Sequence, residues 1–281
     1  MQYSKRFGLI IPAALAVCAT AGGDIASAAD MPLKAPVRAV ATVYNWTGFY
    51  VGGHAGYGWS SNSIDVTGGP IFAPNIAAGR VPARYDLEPA GFLGGATVGA
   101  NWQINRMVLG IEADISFGSI KGSKSVSTLL PFNVPLVPYT HTGEQKLDWL
   151  GTVRGRVGVT LADNLLAFAT GGLAYGHTET HTSNISNGPA INFTSCAFQP
   201  CLAGSSSKTL LGWAAGAGLE YGMGPWSLKA EYLHYDLGDV SYSYNDPIAP
   251  TPLKILFAST HFSGDIVRAG INYRFAAGSS R

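Results

Sequence analysis

Charge is scarce in this sequence. Only 12% of its 281 residues are Asp, Glu, Lys or Arg, and the net charge is +1. Nucleic-acid binders carry a clustered basic face, so nothing here argues for a nucleic-acid partner. Long apolar runs are missing too. Beyond the first thirty residues no stretch stays apolar for the 18 or so residues that a membrane-crossing helix needs. Cysteine is limited to Cys18, Cys196 and Cys201. Cys18 lies in the leader. Cys196 and Cys201 flank a short stretch between Ser/Gly/Pro-containing segments, and in an oxidising exterior they are expected to form one loop disulfide. No further ligands accompany them, so a metal site is not expected there. Glycine-rich stretches at Gly94–Gly99 and Gly212–Gly218 lie inside alternating segments. They lack the strand, turn and helix context of a dinucleotide fingerprint.

What is present begins with an export signal. Lys5 and Arg6 precede an apolar run from Phe7 to Val17, and Ala26-Ser27-Ala28 offers an A-x-A cleavage site. The expected organisation is a signal peptide over 1–28, a periplasmic linker over 29–46, a barrel over 47–275 and a C-terminal extension over 276–281. Pro32, Lys34, Pro36 and Arg38 give the linker no periodic pattern.

After the linker, period-two alternation recurs eight times, which predicts strands. The segments are 47–60, 90–104, 107–118, 146–160, 165–178, 208–223, 226–237 and 262–275. In the third, Leu109, Ile111, Ala113, Ile115 and Phe117 share one face and Glu112, Asp114 and Ser116 the other. The fifth is rich in Ala and Gly, and its faces are not readable. Connections alternate long and short. The long ones cover 61–89, 119–145, 179–207 and 238–261; the short ones follow the second, fourth and sixth strands. Outer-membrane barrels have even strand counts, short periplasmic turns and long extracellular loops. Phe49, Trp59, Trp102, Phe117, Trp149, Tyr221 and Tyr273 fall near strand ends, where membrane girdles sit. A soluble eight-stranded barrel would not need that band. The predicted fold is an all-β, eight-stranded antiparallel up-and-down transmembrane barrel in the cell outer membrane.

Eight strands enclose an interior that side chains can fill. Charged residues that interrupt the apolar pattern should therefore face the lumen and pair. They are Glu112, Asp114, Asp148, Glu220 and Glu231, with Arg154, Arg156, Lys229, Arg268 and Arg274. Strands three and four should bring Glu112 and Asp114 beside Arg154 and Arg156. The expected lumen is a charged plug; a narrow pore is the alternative.

NWTGFYVGGHAGYGW (45–59) resembles the first strand of the alphaproteobacterial outer-membrane immunogenic proteins. These are porin-family barrels similar to the transmembrane domain of outer membrane protein A. ADMPLKAP, GATVGANWQIN, LDWLGTVRGRVG, LLAFATGGLAYG, LKAEYLHYDLG and VRAGINYRF carry the resemblance across nearly the whole mature chain. It implies a structural, surface-exposed antigen, with some members binding haemin. It also implies outer-membrane lipid and the barrel-assembly machinery as partners, with a homo-oligomer as a further option. The chain departs from the family pattern in continuing past Phe275.

His141, His177, His181 and His261 map near the extracellular end. Haem accepts a His axial ligand, so a haem site there is the second reading, with no cofactor as the first. His177 and His181 stand about 13 Å apart on an extended strand, too far to grip one metal together. His261-Phe262-Ser263 resembles the His-x-Ser of lipid A deacylases. Asp265, however, is badly placed to orient His261, and an orienting acid is part of such a triad. No enzyme activity is expected.

Overall fold

A computed structural model of the chain describes residues 44–70, 72–130, 137–186, 200–244 and 256–275. The expected signal peptide, most of the expected linker, Cys196 and the residues after Phe275 lie outside them, as does the side chain of Cys201. The disulfide expected between Cys196 and Cys201 therefore falls outside the described residues.

The strands are β1 (Gly48–Trp59), β2 (Asn62–Gly68), β3 (Arg84–Leu87), β4 (Ala90–Ile104), β5 (Met107–Leu130), β6 (Val137–Ala162), β7 (Leu165–Ser186), β8 (Pro200–Met223), β9 (Trp226–Tyr244) and β10 (Leu256–Arg274). A five-residue helix, α1 (Ala73–Ala77), separates β2 from β3. No helix among the described residues is long and apolar enough to cross a membrane. β1 pairs with β4, each of β4 to β9 pairs with the next strand, and β10 returns to β1. All these pairings are antiparallel. This is the expected closed ring of eight strands. The hairpin of β2 and β3 is added where Ile64–Gly68 pair with Leu256–Thr260.

Two-residue turns join β4 to β5, β6 to β7 and β8 to β9. Asn105 and Gly224 take the left-handed conformation there, with φ of 55° and 61°. Asn and Gly adopt positive φ most readily, which suits them to tight hairpin turns. Tyr44 to Trp46, placed in the linker from the sequence, belong to this end of the barrel. The Trp46 amide donates to Gln103 Oε1 at 2.7 Å, and the Tyr44 amide donates to the Asp163 carbonyl. Trp46 is buried with Val108 and Leu166.

The strands run well past their expected ends. The connections expected over 119–145, 179–207 and 238–261 are largely extensions of β5 to β10. Sequence alternation fades there because the surroundings of the outer wall change. Along the lower barrel the outer face is apolar and exposed, with Phe92 at 77% and Leu211 at 69% accessible. Above Phe117, Trp149 and Trp213, the outer face carries Lys146, Glu144, Glu179, Asp239 and Ser241, while Ile120, Leu147, Leu237 and Val240 point inward. The hydrophobic sign of the two faces inverts at that level. β-bulges mark it at Phe117/Ile120, Leu147/Trp149 and Phe262/Ser263. Bulges add a residue and re-aim side chains, so inward parity resets there.

Candidate functional site

The lumen is filled by four levels of side chains. In a strand, residues two apart share a face, so their vertical order follows from sequence. Nearest the short turns lie Trp46, Val108 and Leu166. Above them, Tyr50 on β1, Glu112 on β5 and Thr170 on β7 begin a polar level. Two residues beyond Thr152, Glu231 and Arg268 come Leu150, Leu233 and Ile266, which open an apolar level with Tyr235 and Phe262. Higher still, Ile64, Val66, Tyr85 and Leu87 of the β2–β3 hairpin pack with Tyr244 and Leu256.

The polar level is a charge network. Arg154 is its hub. Its Nη2 donates to Glu112 and Asp114 at 2.8 Å each, its Nη1 to Glu231 at 2.5 Å and Thr170 at 2.7 Å, and its Nε to Thr152. Arg268 grips both oxygens of Asp114 at 3.0 and 2.9 Å and donates through Nε to Glu231 at 2.8 Å. Lys229 donates to both Glu112 oxygens at 2.9 and 2.8 Å. Tyr50 donates its hydroxyl to Glu112, and Thr152 donates to Asp114. His54 bonds Thr97 and Ser116. A lower group joins Arg156 to Glu220, which also accepts from Ser227 and Asn272. The Arg156 guanidinium lies 3.9 Å from the Phe168 ring centroid. Bidentate and charge-assisted bonds of this kind are the strong ones.

Eight of the ten expected lumen charges are here, all with nearly fully buried side chains. Glu112, Asp114, Glu220 and Glu231 face Arg154, Arg156, Lys229 and Arg268. Four acids meet four bases, and in a low-dielectric interior such balance is required. Glycine makes room: a methyl group at Gly99 would overlap the Tyr50 ring. Arg156 departs from expectation by pairing with Glu220, two strands away on β8, instead of with Glu112 or Asp114.

Two expected members lie elsewhere. Asp148 shares sequence parity with Arg154 but sits at the Leu147/Trp149 bulge. The bulge turns it to the outer wall, where Lys146 Nζ lies 2.5 Å away. Arg274, at the end of β10, is below the network and stacks on Tyr44 at 4.1 Å. Among the described residues it forms no ion pair.

The four candidate haem histidines do not converge. His141 is buried on the inner face of β6, bonded to Thr128. His177 and His181 stand on the outer face of β7, His177 on the expected strand and His181 on strand in place of an expected loop. His261 is on the outer face of β10, three strands away, between Asp239 at 2.9 Å and Asp236 at 3.2 Å. Alternation and the bulges separate residues that are close only in height. Both His261 ring nitrogens face carboxylates, so neither is directed at Ser263. Asp265 instead holds His234 and Tyr232.

The charge list read from sequence does not include Tyr50, His54, Thr152, Thr170, Ser227 and Asn272, although Tyr50, His54, Thr152 and Asn272 share its strand face. Their parity with the lumen charges was the available signal.

The chain matches the outer membrane protein beta-barrel domain family over residues 16–275. It belongs to that family. It is 34% identical over 277 residues to the 31 kDa outer-membrane immunogenic protein of Brucella melitensis, covering 94% of this chain and 97% of the relative. The 25 kDa outer-membrane immunogenic protein of the same organism is 26% identical over 276 residues, covering 98% of this chain and all of the relative. Among solved structures, the outer membrane protein OprG of Pseudomonas aeruginosa is similar, with 11% identity, a TM-score of 0.46, and coverage of 83% of this chain and 98% of that one. The chain is thus a surface-exposed outer-membrane β-barrel, with relatives named as outer-membrane proteins. Short turns face the periplasm in such barrels, so the extended strands project outward from the cell.

Proposed function

We propose that this protein works as a closed structural barrel that presents its projecting wall at the cell surface and carries out no catalysis. The observation that supports this reading is the packed lumen. An apolar floor, a balanced charge network and two apolar clusters succeed one another along the axis. Eight-stranded barrels have interiors just wide enough for such filling. With no aqueous path, what the protein offers the cell is stiffness in the membrane and a polar outer wall of Ser, Thr and charged side chains beyond it.

Its partners in this reading are outer-membrane lipid along the apolar band and the barrel-assembly machinery during insertion. Self-association within the membrane is compatible with that band. A deletion strain tests the reading. Sensitivity to detergent should rise, uptake of small hydrophilic solutes should stay unchanged, and the intact gene should restore resistance. Slowed solute uptake with an unaltered envelope would contradict it.

A further inference from the structure

The bulge that expels Asp148 from the lumen has a chemical result on the outer wall. Trp149 pairs with His177 and Leu147 with Thr178, leaving Asp148 as the extra residue of β6. It lands beside His177. Glu179 is two residues on from His177 and therefore on the same face of β7. One ligand atom from each of Asp148, His177 and Glu179 lies within 4.8 Å of the other two. Asp148 and His177 are half-buried, and Glu179 is exposed. The His177 ring stacks on Trp149, with centroids 6.4 Å apart and planes 11° apart, and its nitrogens reach the Ser207 and Thr209 hydroxyls at 3.1 and 3.4 Å.

We infer that Asp148, His177 and Glu179 form a divalent transition-metal site, suited to Zn2+, on the outer wall just above the membrane. An imidazole with two carboxylates suits zinc, whereas Ca2+ takes six to eight oxygen ligands and Mg2+ keeps several waters. Zinc bonds to these groups are about 2.0–2.2 Å long. Tetrahedral ligands at those lengths stand about 3.4 Å apart, so any pair near the 4.8 Å limit must close up on metal binding, and the exposed Glu179 side chain is free to move. Three protein ligands leave a fourth position for water or an exchangeable ligand. A surface groove of about 290 Å³, lined by Glu144, Lys146, Glu179, His181 and Ser205, lies on the same wall beside Glu179.

The spot already attracts a cation. The Lys146 ammonium sits 2.5 Å from Asp148 and 3.7 Å from Glu179. Ammonium and metal compete for the same two carboxylates. Removing the lysine should therefore tighten metal binding, an effect opposite to that of removing a ligand.

The test is a Zn2+ titration of the folded protein in detergent, by calorimetry and by competition with a chromophoric chelator. Heat-modifiable migration on gels checks that every variant is folded. One equivalent should bind. His177→Ala and Glu179→Gln should each weaken binding by about tenfold or more. Lys146→Ala should tighten it by about two- to fivefold, the worth of an exposed ion pair. His261→Ala, a control at a separate histidine–aspartate cluster, should leave it unchanged. No binding by the parent protein would overturn the inference. So would binding that survives His177→Ala and Glu179→Gln, or that is lost in His261→Ala.

Discussion

Lys229 faces Glu220 directly across the β8–β9 pair, yet its ammonium binds Glu112 on the opposite wall of the lumen. Glu220 is taken by Arg156 in turn. The network therefore ties β9 to β5 and β8 to β6, joining strands that the backbone ladder does not connect. Removing one partner of such a network leaves a buried charge uncompensated, at about 3–5 kcal/mol. Glu112→Ala should lower unfolding stability in lipid vesicles by that amount. Glu112→Gln combined with Lys229→Met should cost less than the sum of the single changes, because the double change removes both charges. Additive single and double effects in denaturant titrations would show that the two side chains are uncoupled.

Trp46 closes the periplasmic end. Its indole is 2% exposed, although the sequence reads as linker there. Trp46→Ala should destabilise the barrel by about 3–5 kcal/mol, the range for a large buried side chain truncated in place. Asn45→Ala, which loses one exposed contact to the Thr47 amide, should cost well under 1 kcal/mol, as surface changes do. Equal effects of the two in thermal melts would place Trp46 outside the packed barrel.

On the projecting wall, His261 is held above its ordinary value of 6.5, first by its hydrogen bond to Asp239 and then, against partial desolvation, by the charges of Asp236 and Asp239. A raised folded value means that the protonated form stabilises the fold. That contribution is complete below pH 6.5 and disappears as pH rises through the folded value. The parent protein should exceed His261→Asn in stability by more at about pH 5.5 than at about pH 9. An NMR titration of the imidazole should shift downward in Asp239→Asn. A gap between parent and variant that is constant with pH would remove this role.

Much of this architecture is written in the sequence, and what is hidden has physical causes. Where lipid surrounds the wall, apolar residues must face out, so Leu109, Ile111 and Ala113 against Glu112 and Asp114 read plainly. β7 does not read plainly because Leu166 and Phe168 are apolar and inward, Phe168 lying under the Arg156 guanidinium. Above the membrane the outer solvent is water and the pattern changes sign. Segments such as Ser123–Ser127 then look like loop, although Ser125 pairs with Thr142 in an unbroken ladder. Asp148 was placed in the lumen because nothing in local sequence announces the bulge at Leu147/Trp149. The charge network was legible as a set because burial forces balance, but its pairings were not. Partners such as Lys229 and Glu112 meet across the lumen, where cross-strand register gives no guide.

Packed side chains close the lumen at every level among the described residues. Single-channel recording of the refolded protein in planar bilayers tests this closure most directly. The expected record is a flat baseline with no stable openings, both in the parent and in Lys146→Ala, whose change lies on the outer wall. Large, long-lived, reproducible openings from the parent protein would contradict a closed barrel.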